Sequence, residues 1–539
     1  MSQSKKSSII AGGLAGTAGI FITKAIGILY VSPFYALATE ANVAYYGYAY
    51  NIYNLLLNIA ASGIPFAVAV VVSKYIAKED YRSALLTRKI ANALMLGVGF
   101  IAMMVVFFLA TPISKVILTS NASPESLLKT KNVIMIISLA LFTVPVLGSF
   151  RGYYQGLRNF KLYSLSQVLE QIARVSFLLG VGFILVYILH LDAMWAVYMA
   201  VLSTSVSALI AFGQLILYSR SNLDVENAAK LQKNPARHPK LILKELLLIA
   251  FPYLITSFLN NVSGLANLVF FNRTMMSLGF TEANSQLIYS MISVSTDKLI
   301  SIPQVLSLGF SVAIIPIITS DIQSQNMSQL KRHIRECLET VLYIIIPVIV
   351  CMYLTADKIY YLFYASEHYE LAASVLRTQL YFGLASTLSA TVMSIMMALG
   401  QRYTMVIALA IGALAQFLLI SPLIMIFSYH GAIIAAITSS VIVLAIGLAV
   451  MRQHVKLDYT LMLRKLLFML AGAVVITAVF LLLNLTPLGA RSYSRIINLV
   501  QLSVYFIIGI GLYFGVTYKT RVFQSIFKVK LNIRKRTSR

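Results

Sequence analysis

SRSNLDVENAAKLQKNPARHPKLILKE, residues 219–245, is the one long polar connection inside a chain that is otherwise a succession of apolar runs. Asn234-Pro235 and His238-Pro239 break it up, because a proline biases the residue before it away from the α region. Working outward from it, six apolar runs precede it, at about 9–36, 44–72, 90–113, 132–150, 163–189 and 193–218. Six follow, at about 246–272, 285–319, 338–355, 373–399, 404–427 and 431–451, and two more lie at 466–485 and 496–518. A bilayer core takes about 20 apolar residues per helical span. The expectation is an all-α integral membrane protein of about fourteen transmembrane helices. It divides into an N-terminal six-helix lobe (1–220), a linker (221–245), a C-terminal six-helix lobe (246–455), two additional helices (456–518) and a basic tail (519–539).

Composition leads to the same class. Apolar residues make up 59% of the chain and charged residues 11%, with a mean hydropathy of +0.83. A soluble chain needs roughly 25% charged residues to cover its surface. The formal charge of +25 would suggest nucleic acid in a soluble protein, but its distribution follows the loops. Of 43 Lys and Arg, 32 fall on the side of the N-terminus: Lys5 and Lys6, the 74–89 loop, Arg151 to Lys161, the 220–244 segment, Lys331 to Arg335, Arg402, Arg452 to Lys465, and the tail from Lys519. The other side holds eight, while acidic residues divide nine to seven. This is the positive-inside bias. Both termini and the linker are therefore expected in the cytoplasm, with an even number of spans and no nucleic-acid partner. The basic tail is also expected to lie against anionic lipid headgroups. The first apolar run is too long for a cleavable signal and has no small-residue cleavage site.

The two halves are weak repeats. Ser62-Gly63-Ile64-Pro65, leading to Ser73-Lys74-Tyr75 and Arg88-Lys89, is echoed about 246 residues on by Leu308-Gly309-Phe310, Pro316, Thr319-Ser320-Asp321 and Lys331-Arg332. Tyr154-Gln155-Gly156-Leu157-Arg158 is echoed by Ala398-Leu399-Gly400-Gln401-Arg402. Halves with an even number of spans form parallel repeats, an arrangement used by transporters. The absences narrow the function. No G-x-x-x-x-G-K-[ST] loop is present to hold ATP. His190, His238, His333, His368, His430 and His454 all fall in loops or at span ends. Cys337 and Cys351, fourteen residues apart on one helix, are separated by about 21 Å and cannot bridge. No catalytic residue, cofactor or metal site is expected, and alternating-access transport is favoured over enzyme or channel.

Ionisable groups at mid-bilayer cost roughly 2.5–3.5 kcal/mol on insertion scales and each calls for an explanation. Five stand out: Lys24 in the first span, Glu170 and Arg174 in the fifth, Asp297 and Lys298 in the eighth. Glu170 and Arg174 share a helix face four residues apart, so an internal ion pair is the bland reading and a site role the sharper one. Lys24 has no acidic neighbour on its helix. Asp297 and Lys298 are adjacent in sequence and point to different sides. Asn51, Asn54 and Asn58, continued by Ser62, stripe one face of the second span; they line a cavity or join two helices. Asn260, Asn261 and Asn267 suggest a similar wet face in the seventh. Together these residues outline a cavity with fixed positive charge and amide groups, suited to an anionic, sugar-bearing solute.

The stretch Phe150-Arg151-Gly152-Tyr153-Tyr154-Gln155-Gly156, followed by Ser166-Gln167-Val168-Leu169-Glu170-Gln171-Ile172-Ala173-Arg174-Val175, resembles the polysaccharide-export branch of the MATE-like MOP flippase superfamily. Within that branch the resemblance is to the Gram-positive group of stage V sporulation protein B and the YtgP-type MurJ homologues. It implies a MATE-like fold, two six-helix lobes around a central cavity, and a groove for a lipid tail on the last two helices. The implied substrate is lipid II, the undecaprenyl-pyrophosphate-linked peptidoglycan precursor, flipped across the bacterial cytoplasmic membrane, with the cell-wall synthesis machinery as a further partner. Lys24, in Thr23-Lys24-Ala25-Ile26-Gly27, stands where such proteins carry a basic residue. Asp297-Lys298-Leu299-Ile300-Ser301-Ile302-Pro303 matches an Asp-Arg followed by Leu-Pro. Tyr30, Val43 and Ser301 replace charged residues of the Gram-negative branch, and the second-helix arginine is missing. The alternatives are therefore another undecaprenyl-linked saccharide, a MATE-type drug/cation antiporter using Glu170 and Asp297, or a non-transporting scaffold.

Overall fold

A computed structural model describes residues 22–527, apart from 24, 25, 28, 62, 119–121, 158, 222, 223, 305–317, 319, 320, 323 and 491. Every regular element among the described residues is helical. Eleven helices there are long and apolar enough to cross a membrane. Of the other three expected spans, 9–36 lies mostly outside the described residues. The 44–72 span is described as helix over Val43–Ala61 and Gly63–Ala77, with residue 62 outside the described residues, and the 285–319 span is described only to 304 and at 318.

The chain packs into two compact units, Met1–Ser295 with Ala413–Ala432, and Thr296–Gly412 with Ile433–Arg539. The first contains α1 (Val31–Ala38), α2 (Val43–Ala61), α3 (Gly63–Ala77), α4 (Tyr81–Phe108), α5 (Ala110–Ile117), α6 (Pro124–Gly156), α7 (Phe160–Phe183, ending in a π turn, Ile184–Ile188) and α8 (Met194–Ser221). It continues with α9 (Asp224–Leu231), α10 (Pro239–Asn260), α11 (Val262–Ser277) and α12 (Glu282–Ser290), which ends in a second π turn, Met291–Ser295. Lipid tails are as apolar as leucine, so helices in a membrane associate by close packing rather than by escape from water. The glycines of the 150–156 signature permit that closeness. A Cβ on Gly152 would lie 2.3 Å from the Pro65 carbonyl oxygen, and one on Gly156 would lie 2.8 Å from that of Ala69. Helix α6 can thus lie directly on α3, with Ser123 capping its start by accepting from the Ser126 N–H.

The polar 219–245 stretch is built into this unit. Glu226 on α9 pairs with Arg88 at 3.1 Å. Arg82 Nε donates to the Ala229 carbonyl at 2.9 Å, and Gln232 donates to Asp80 at 3.0 Å. At the start of α10, Glu245 pairs with Lys74 and accepts from the Tyr75 hydroxyl at 3.2 Å.

The second unit holds α13 (Met327–Leu354), α14 (Ala356–Tyr364), α15 (Tyr369–Ala398), α18 (Thr460–Leu483), α19 (Arg495–Lys519) and α20 (Val522–Phe527). Helices α16 (Arg402–Phe427) and α17 (His430–Val455) pass between the units at Gly412 and Ile433. Its core joins Ile334 and Leu338 of α13, Val392 and Met396 of α15, Met451 of α17 and Leu457 just beyond that helix. Cys337 and Cys351 are free, buried thiols on α13.

Candidate functional site

The polar centre of the first unit is built by α2, α6, α7 and α8. Helix α7 starts behind Asn159, whose side chain accepts from the Leu162 N–H at 3.1 Å. From that start it carries Ser166, Glu170 and Arg174 on one face, since residues four apart stack along a helix. The Arg174 Nη2 donates to Glu170 Oε1 at 2.5 Å, so the pair expected from spacing is present. A second cation completes it. Arg151 Nη1 donates to Glu170 Oε2 at 2.8 Å, while its Nε and Nη2 reach the Ser166 hydroxyl at 3.1 and 3.0 Å. Its position just beyond the 132–150 apolar run places Arg151 in a cytoplasmic loop by sequence. The structure corrects this: α6 runs on to Gly156, and the side chain of Arg151 retains only 13% of its exposure. The signal was available, because Arg151 opens the glycine signature that fixes α6 against α3.

Helix α2 supplies an aromatic wall beside this triad. The Tyr46 and Tyr50 rings stack at 4.3 Å, and Tyr50 meets Tyr53 edge-on at 5.7 Å. The Tyr50 hydroxyl bonds Thr204 of α8 at 2.9 Å. All three tyrosines lie within electrostatic reach of Arg174. With two guanidiniums around one carboxylate, the cluster carries an excess of positive charge.

A second group of polar contacts joins α2 to α11 and α12. Asn51 donates to the Tyr289 hydroxyl at 2.6 Å, Asn272 donates to that of Tyr48 at 2.7 Å, and Ser285 donates to Asn272 at 3.0 Å. Asn51 therefore links helices in this structure. Asn54, on the same helix, is exposed. The seventh span breaks between α10 and α11 at Asn260 and Asn261, where Asn261 donates to the Ser257 carbonyl at 2.7 Å. The Asn267 side-chain oxygen is buried without a hydrogen-bond partner.

The remaining nominated residues are placed unevenly. Lys24 and the Asn58 side chain lie outside the described residues. In the second unit, Asp297 is exposed and Lys298 half-buried one turn after the π turn of α12, and the Lys298 carbonyl accepts from the Ser301 hydroxyl at 2.6 Å. Sequence reasoning passed over a further buried acid there. Glu339 on α13 is 1% exposed and pairs with Lys465 of α18 at 2.6 Å through one oxygen. No cluster that could hold a metal ion occurs among the described residues.

These features sit in a chain whose residues 9–322, more than half its length, match a family model described as "Polysaccharide biosynthesis protein". The chain belongs to that family. It is similar to the lipid II flippase MurJ of Bacillus subtilis (strain 168), with 29% identity over 472 residues covering 86% of each chain. Among solved structures, lipid II flippase MurJ in an inward closed conformation aligns with a TM-score of 0.68 and 14% identity, over 96% of this chain and 100% of that one. An inward-facing multidrug resistance MATE family transporter of the MOP superfamily aligns with a TM-score of 0.65 and 16% identity, over 79% of this chain and 94% of that one. The family member is a multi-pass membrane protein with a MATE-like fold, as residues 150–156 and 166–175 had suggested.

Proposed function

We propose that this protein is a flippase carrying lipid II from the cytoplasmic to the outer leaflet of a bacterial cytoplasmic membrane by alternating access. The observation that carries the reading is the sequence likeness to a lipid II flippase over 86% of the chain. The sign of the buried cluster supports it, since two arginines on one glutamate suit an anion rather than a drug cation. On this reading the protein catalyses no covalent reaction. The lobes 1–220 and 246–455 rock around the headgroup, and both termini face the cytoplasm. Lys24 and Lys298 engage the pyrophosphate, with Asn51, Asn54, Asn58 and Asp297 meeting the saccharide. The isoprenoid tail stays in lipid along the last two helices, and the cell-wall synthesis machinery receives the product. An inside-negative potential contributes about 2.3 kcal/mol per charge per 100 mV to outward movement of the anion, so collapsing it is expected to slow flipping.

The test is the leaflet distribution of lipid II after depletion of this protein, with wild type, Lys24→Ala and Lys298→Ala as rescues. Inner-leaflet accumulation that wild type reverses and the lysine variants do not is the expected result. The absence of any accumulation in depleted cells would remove lipid II as the cargo. A MATE-type antiporter remains the second reading because of the MATE structural likeness. It requires Glu170→Gln and Asp297→Asn to abolish drug efflux.

A further inference from the structure

We propose that Glu170 is a resident counter-ion, and that the diphosphate of the transported headgroup displaces it from Arg151 and Arg174. The inference rests on the flippase reading and deepens it by assigning, in addition to the lysine contacts proposed above, a second station for the same diphosphate within the first unit. A purely structural acid in a helix bundle needs one cation to neutralise it. Glu170 has two, one on each carboxylate oxygen, at 2.8 and 2.5 Å. The bridging carboxylate does what a diphosphate would do, because guanidinium forks donate to carboxylate and phosphate oxygens with the same geometry. Removing it with no replacement would leave two like charges side by side and out of water, the costly case. The empty transporter therefore holds the site open with its own acid.

Two details point to a ligand as well as to the internal pair. The Arg174 Nε is buried and has no hydrogen-bond partner, although the same guanidinium binds Glu170 through Nη2. That N–H is thus unused, and an unmade charged hydrogen bond needs an explanation. Arg151, by contrast, commits Nε and Nη2 to Ser166, which fixes its plane before any ligand arrives. The side chains of Arg151, Glu170 and Arg174 are largely buried, keeping 13, 11 and 19% of their exposure.

The test uses full-length protein in lipid nanodiscs, with farnesyl diphosphate, inorganic pyrophosphate and farnesol as probes. Glu170→Gln keeps the shape and removes the competing charge, so it is expected to bind farnesyl diphosphate several-fold more tightly than wild type. Arg151→Gln and Arg174→Gln are expected to weaken it by about tenfold or more. Farnesol is expected not to bind at this site. If inorganic pyrophosphate shows the same tightening, the site reads the diphosphate alone; if only the farnesyl compound does, it reads a lipid-borne diphosphate. Thermal melting guards against misfolding: Glu170→Gln should melt below wild type without ligand and recover with farnesyl diphosphate. Unchanged or weaker binding by Glu170→Gln, in protein that melts cooperatively, would overturn the inference. That result together with normal lipid II flipping by wild type would leave the flippase reading standing. Tightening without any flipping by wild type would do the reverse.

Discussion

Glu170 and Glu339 are both acids buried in membrane helices and paired with basic side chains, yet they are built differently. Glu170 sits between two arginines, each oxygen satisfied, in a cluster with surplus positive charge and residual exposure. Glu339 is 1% exposed and meets one lysine, and its other oxygen is buried without a hydrogen-bond partner. The first arrangement can exchange its acid for another anion; the second is neutral, one lysine of α18 to one acid of α13. A buried ion pair is weak evidence for stability, because desolvation offsets most of the attraction. The surplus cation, rather than burial or exposure, distinguishes the first pair from the second.

The largest effect is expected where this contrast is broken at Glu170. Glu170→Ala strands two arginines and should lower stability by about 3 kcal/mol or more, read as a melting shift in detergent, with loss of flipping. At Glu339 the opposite outcome is expected from a paired replacement. Glu339→Met with Lys465→Met removes the charges and the orphaned oxygen together, so stability should hold or rise by about 1 kcal/mol or more, with flipping retained. If the methionine pair abolishes flipping in a well-folded protein, Glu339 is not a merely structural acid and the contrast collapses.

A smaller effect sharpens the role of the α2 amides. Tyr289→Phe removes the acceptor of Asn51 while keeping the ring, and should cost about 1 kcal/mol. If Asn51 serves the saccharide as well as the helix contact, Asn51→Leu should reduce flipping more than Tyr289→Phe at matched stability. Equal reductions would make it a helix joint alone.

Much of this was legible in the chain. Apolar run lengths and the loop distribution of Lys and Arg marked a polytopic membrane protein, because the bilayer constrains span length and loop charge directly. The Glu170–Arg174 pair followed from a four-residue spacing. Arg151 did not, since its partner lies on another helix and its place at the end of a span made it look like a loop cation. Glu339 was hidden for the same reason: α13 begins at Met327, a dozen residues before the acid, and Lys465 comes from α18. Contacts between elements distant in sequence leave no periodic trace. The break at Asn261 was foreshadowed only by its amides, and the π turns at Ile184–Ile188 and Met291–Ser295 had no sequence signal.

The 219–245 segment gives the smallest and most local test. A polar stretch rich in Lys, Asn and Pro reads as a tether, yet Gln232 and Ser83 both bind the Asp80 carboxyl at the start of α4. Burial works to raise that carboxyl, but the hydrogen bonds from Ser83 and Gln232 outweigh it and hold it below the usual carboxylate range. A lowered carboxyl contributes stability that is complete above its unfolded value, near 3.9, and that fades as pH falls through the lower folded value. Asp80→Ala should therefore cost no more than about 1 kcal/mol at neutral pH, the usual worth of an N-cap, and its penalty should shrink only in strong acid. Gln232→Ala should cost less than Asp80→Ala, and hydrogen exchange should then rise across 224–245 as well as at the start of α4. Exchange confined to the start of α4 would show that the segment holds its shape without this contact.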